Sequence, residues 1–264
     1  MNFARKMTFA IALFVGAMAV SAQNFVLEGK VKGNVEGASV MLQKYEADAV
    51  VNVDSTVIKN GEFTLRGDVT NPEECQLVVD TNPAGTEMPD YQKMWATRIY
   101  VENKPMTFAV DLTGFPNNLD PNLVKTYITG SVTQDVYQKY LDLTQGLNNE
   151  IDSLEGVSDE ADDLAQKVAI AKKLQELKAA LRNTANLFIQ ANRGSLVAVD
   201  LVAEALQDLP CPYTDAQVDE MLGWLKADWS GKASYINLQK QADFAKQTAV
   251  GKPFIDGVFV DKMG

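Results

Sequence analysis

A change of hydrophobic period near residue 131 constrains this chain more than any other feature. Before it, apolar residues alternate two by two. Phe25, Leu27 and Val31 recur in FVLEGKVKG, and Val40 and Leu42 in ASVMLQKY. Met106, Phe108, Val110 and Leu112 alternate without a break. Such a period puts one face of a strand in a core and the other in water. Candidate strands fall at 25–33, 38–45, 51–58, 62–67, 76–80, 96–102, 106–112 and 124–129. Asn60-Gly61 between two of them is a strong tight-turn signal, because both residues accept positive φ. Seven or eight short strands in this stretch predict an antiparallel β-sandwich, with an open barrel as the rival.

After residue 131 the spacing becomes helical. Ser131-Val132-Thr133-Gln134 fits a capping box. The helix behind it carries Tyr137, Tyr140, Leu141, Leu147, Ile151 and Leu154 as an apolar side. Gly156-Val157-Ser158 is expected to end it, with Ser158 capping a second helix that runs to about Asn192. Asp159, Glu160, Asp162 and Asp163 then suit the positive end of that helix. Further helices are expected at 195–206, 214–226 (opened by a second capping box, Thr214 to Gln217) and 233–248. The fold class is therefore α+β, an N-terminal antiparallel β-sandwich followed by an α-helical domain. The expected division is 1–22 signal peptide, 23–130 sandwich, 131–249 helical domain and 250–264 tail.

The N-terminus reads as a secretion signal. Arg5 and Lys6 precede an uncharged apolar run from Met7 to Val20, and Val20-Ser21-Ala22 has the small residues that signal peptidase requires. A run of about 14 residues is short of the roughly 20 that span a bilayer. The expected mature chain starts at Gln23 and resides in the periplasm. Lys and Arg total 24 against 35 Asp and Glu; losing Arg5 and Lys6 moves the net charge from −11 to about −13. That charge disfavours nucleic acid and anionic lipid as partners.

Little in the composition promises chemistry. The chain contains no His, so catalytic triads, Cys-His pairs and His-containing metal sites are excluded. Cys75 and Cys211 form no CxxC. They stand as free thiols or as a long-range disulfide, with Cys75 at a strand start and Cys211 in a rigid Pro-Cys-Pro loop. The acidic clusters lack calcium-loop spacing and read as solvated helix surface. No catalytic, cofactor or metal residues are assigned. Tyr91, Trp95 and Tyr100 are the one candidate binding surface. Exposed together they would stack on a sugar or clamp a peptide; packed inward they would be core.

Several stretches resemble the N-terminal part of secreted Bacteroidetes proteins of the TlpA/AhpC-TSA-like thioredoxin family. They are Phe25 to Val31, Asp54-Ser55-Thr56 with Lys59 to Phe63, Tyr100 to Asn103, and Thr129-Gly130-Ser131. The tail from Ala249 to Phe254, with Asp256 and Asp261, resembles the approach to that family's thioredoxin-like domain. Ile255 and Gly257 depart from its usual Pro and aromatic. The resemblance implies a thiol-redox relative whose CxxC-bearing domain would begin beyond Gly264, so no catalytic residue carries over. The expected function is a non-catalytic periplasmic accessory or recognition module, not an enzyme. The rivals are an independent envelope protein that binds a peptide, glycan or protein partner, and an enzyme of unfamiliar type.

Overall fold

The computed structural model describes residues 24–46, 49–119, 124–160, 163–207 and 211–248. The expected signal segment 1–22 and the tail 250–264 lie outside the described residues.

Among the described residues eight strands come first: β1 (Phe25–Gly33), β2 (Ser39–Glu46), β3 (Ala49–Val57), β4 (Glu62–Gly67), β5 (Glu73–Asp80), β6 (Met94–Val101), β7 (Pro105–Leu112) and β8 (Thr126–Thr129). They form two four-stranded sheets, ordered β4-β1-β7-β8 and β3-β2-β5-β6. The alternation read in the sequence is the alternation of burial. Phe25, Leu27, Leu42, Leu65, Leu77, Ile99 and Leu112 are fully buried between the sheets. Each such side chain contributes about 1.5–3 kcal/mol on leaving water. The pairing is not wholly antiparallel, because β1 runs parallel to β7, with Leu27 opposite Met106 and Val31 opposite Val110. Long crossings between the sheets make that parallel neighbour available, which short-range alternation does not report.

The Asn60-Gly61 turn forms as expected, with φ of 54° and 73°. It does not join paired strands of one sheet. Only Lys59 and Glu62 bridge across it; β3 then enters one sheet and β4 the other. The turn is a corner of the sandwich, plugged by fully buried Ile58.

Five helices follow among the described residues: α1 (Val132–Glu160), α2 (Leu164–Ala191), α3 (Leu196–Gln207), α4 (Asp215–Trp229) and α5 (Ala233–Thr248). The expected break at 156–158 does not occur. One exposed Gly costs a helix only about 1 kcal/mol, and antiparallel α2 supports this part of α1 through Lys178–Glu155 at 2.7 Å and Lys173–Glu150 at 3.4 Å. The cap of α2 is therefore Asp163, whose carboxylate accepts from Gln166 N–H, and not Ser158. The Thr214–Gln217 capping box is present in both directions. A second core gathers Phe188, Ile189, Val197, Leu201, Val202, Met221, Leu225 and Leu238, and Tyr100 of β6 belongs to it.

One glycine is dictated by packing. A Cβ at Gly29 would lie 2.1 Å from ring carbons of Phe63, its cross-strand partner. Gly29→Ala should cost about 1–3 kcal/mol in urea unfolding, and Phe63→Leu in the same chain should recover part of that loss. Unchanged stability in Gly29→Ala would contradict this packing.

Candidate functional site

The three aromatic residues of the expected binding surface go three ways. Tyr91 lies in a single 3-10 turn, Tyr91–Lys93, and is exposed. Trp95 packs on the sandwich core, its ring 6.3 Å from that of Phe108. Tyr100 is fully buried in the helical core. Trp95 and Tyr100 differ by an odd number of positions in one strand, so they point to opposite faces. They form no common surface. The thiols are also apart. Cys75 is buried in the sandwich and Cys211 packs beside the helical core, both as free cysteines. Burial pushes the Cys75 thiol up to about 12.

The site that the fold does assemble is the seam between sandwich and helices. Ile99-Tyr100-Val101 are three consecutive buried residues, which means that both faces of β6 are covered. One face carries Ile99 and Val101 into the sandwich; the other presents Arg98 and Tyr100 to α1 and α3. Tyr100 N–H donates to Gln134 Oε1 of α1 at 2.8 Å. The outer edge of β6 thus meets a helix side chain where another strand would otherwise pair.

Just beyond β6, Glu102 meets the first turn of α1. Its Oε1 accepts from Thr133 N–H at 2.8 Å, Thr133 Oγ1 at 2.8 Å and Ser131 Oγ at 3.1 Å. Its Oε2 accepts from Lys104 Nζ at 2.7 Å. Ser131 Oγ in turn accepts from Gln134 N–H at 3.0 Å. The expected capping box is thereby half formed: Ser131 caps the helix, but Gln134 serves β6, and Glu102 supplies the acidic group at the helix N-terminus. Burial pushes the Glu102 carboxyl up, but the bonds from Lys104 and Thr133 outweigh it and hold it down at about 2. Asn103 ties in the β4–β5 loop by accepting from Val69 N–H at 3.0 Å and donating to Asp68 Oδ1 at 2.7 Å.

A second polar cluster lies on the face of β6 turned to α3. Arg98 Nε is 2.9 Å from Glu74 Oε1 of β5, and its Nη1 pairs with Glu204 of α3. The guanidinium stands 5.4 Å from the ring centre of Tyr137, which meets Tyr100 edge-on at 5.3 Å. Tyr100 OH donates to Asp200 Oδ2 of α3 at 3.0 Å. Burial raises the carboxyls of Glu74 and Asp200, the latter to about 7. Beside the seam opens a cleft of about 690 Å³, lined by Lys44, the 68–73 loop, Thr133, Ser195, Trp229 and Lys232. Lys232 Nζ sits 4.0 Å over the Trp229 ring, and Lys44 Nζ is 3.0 Å from Glu73 Oε1.

The sequence alone assigns no role to Glu74, Arg98, Asp200 or Glu204, and Glu102 enters it only within the resembling stretch Tyr100 to Asn103. The signal available was local: Leu77-Val78-Val79 and Ile99-Tyr100-Val101 break the two-residue alternation, and both mark strands covered on both faces. Of the acidic cluster expected to open the second helix, Asp159 and Glu160 fall instead in the last turn of α1, Asp163 caps α2, and Asp162 lies outside the described residues; Glu150 pairs with Lys173 and Asp219 with Lys246. Among the described residues, no group of three or more Cys, Asp or Glu is placed to hold a metal ion, and no helix is long and apolar enough to cross a membrane.

Residues 25–137 match the family model of a domain of unknown function, DUF4369. That unit runs past the sandwich into α1 and so contains Glu102, Ser131, Thr133, Gln134 and Tyr137. No curated protein matches the chain.

Removing the Glu102 carboxylate should therefore do more than remove a surface charge. Glu102→Ala leaves buried donors of α1 unpaired and should cost about 3 kcal/mol. The folded carboxyl is held below its ordinary 4.5. The unfolded chain then binds the extra proton first, and stability falls as pH drops from about 4.5 towards 2. Glu102→Gln should lack that component in acid unfolding curves; identical curves for both proteins would contradict the assignment.

Proposed function

We propose that this chain is a non-catalytic recognition module of the bacterial periplasm, accessory to a thiol–disulfide oxidoreductase. The observation that carries the reading is the placement of the thiols. Thiol exchange needs a thiolate that its substrate can reach. Cys75 is buried with its thiol pushed up to about 12, and Cys211 lies half-buried beside a different core. Neither has the other as a resolving partner.

The resemblance of Phe25–Val31 and the Asp54–Phe63 region to thioredoxin-family proteins supports the association with redox partners. The basic start, the apolar run and Ser21-Ala22 support export. The cleft beside the seam is the candidate recognition surface, because pockets for ligands form preferentially where two structural units meet. An extended peptide or protein segment is the occupant this reading favours, since the walls of the cleft come from loops and helix ends of both units.

Dithiothreitol-driven insulin reduction tests the central point. The protein from Gln23 onward should match a Cys75→Ala/Cys211→Ala variant. Turnover by the former that the variant lacks would overturn the non-catalytic reading.

A further inference from the structure

The cluster around Asp200 has an imbalance that the rest of the seam lacks. Three carboxylates, Glu74, Asp200 and Glu204, lie around one guanidinium, Arg98, which pairs with two of them. Arg98 directs its Nε and Nη1 to Glu74 and Glu204. Among the described residues, the Asp200 carboxylate receives one hydrogen bond, from the hydroxyl of Tyr100 at 3.0 Å. The charged and titratable groups around it are Glu74 on β5, Arg98 and Tyr100 on β6, Tyr137 and Tyr140 on α1, and Glu204 one turn along α3. Tyr213 before α4 and Tyr235 on α5 belong to the same core, with the Tyr235 hydroxyl donated to Leu222 O at 3.0 Å.

We propose that Asp200 is a proton-operated latch on the seam: while its carboxyl carries a proton α3 docks fully on β6, and loss of that proton loosens the helical bundle from the sheet. The step is a simple proton release to solvent. It leaves a carboxylate near Glu74 and Glu204 at a site where, among the described residues, the acting cation is Arg98, already paired with both. Partial removal from water and the like charge of Glu74 both resist that ionisation, and they place the transition near neutral pH. The Tyr100 hydroxyl and Arg98 oppose them without cancelling them.

The sign is fixed by linkage. A carboxyl whose proton is held more tightly in the folded state stabilises the fold fully below its unfolded value. It loses that contribution as pH rises through the folded value. The cleft shares Ser195 and Leu196 with the start of α3, so loosening α3 would alter its wall. The latch does not depend on what the cleft binds.

Urea unfolding of the chain from Gln23 at pH 5 and pH 8 tests the proposal, beside Asp200→Asn, which keeps an acceptor for the Tyr100 hydroxyl. The unfolding constant of the wild type should rise roughly tenfold or more between the two pH values relative to the variant. Hydrogen exchange should locate the change: at pH 8, after correction for intrinsic rates, amides of Val199–Val202 should lose protection while that of Leu27 keeps it. Should Asp200→Asn not fold, Glu204→Gln substitutes, and its transition should move to lower pH. Parallel pH dependences in wild type and variant, or a carbon-13 titration of Asp200 with its midpoint below 5, would overturn the latch.

Discussion

The fold depends on one carboxylate. Glu102 stands where the sandwich ends and the helices begin, accepting from the backbone and side chain of Thr133 and from the Ser131 hydroxyl. The first turn of any helix has amide groups without partners inside the helix, and burying them unpaired is costly. Glu102 removes part of that cost and adds a charge of the right sign for the helix end. Lys104 keeps the carboxylate ionised from the other side. The acceptor follows β6 and the donors open α1, so the bonds that satisfy the start of the helix also fix it to the sheet.

The other seam contacts depend on that placement. Once α1 is fixed, Gln134 covers the amide of Tyr100 and Tyr137 packs on its ring. Tyr100 then extends into the helical core and reaches Asp200. The sandwich edge is covered, and the helical core is completed by a residue of a strand. Two cores are thereby held in one relation, with a cleft between the β4–β5 loop and the helix ends. Across the seam run the Arg98–Glu204 ion pair, the Tyr100–Asp200 hydrogen bond and the bonds from Ser131 and Thr133 to Glu102.

Much of the architecture was legible in the sequence. The strands from 25 to 112 announced themselves by alternation, and four of the five helix starts lay within two residues of expectation. The second helix start was misplaced because Gly156 and Ser158 look like a terminus in isolation, whereas support from α2 carries α1 on to Glu160. The parallel β1–β7 pair was hidden because pairing direction is a long-range property. The seam was hidden for a different reason. Glu102, Arg98 and Asp200 are charged residues with no pattern of their own, and only the docking of two separately patterned units turns them into partners, Glu102 buried and the other two half-buried. Of Tyr91, Trp95 and Tyr100, the two alternatives of surface or core were separable only by the strand: Trp95 and Tyr100 pack inward on opposite faces of β6, and Tyr91 lies exposed in the turn before it.

Native-state hydrogen exchange at pH 6 tests most directly whether sandwich and helices form one cooperative unit. The amides of Leu27 in the sandwich, Val202 in the helical core and Tyr100 on the seam should open with the same free energy, that of global unfolding. If Val202 and Tyr100 exchange through a lower-energy opening while Leu27 remains protected, the helices unfold independently of the sheet and the seam does not unite them.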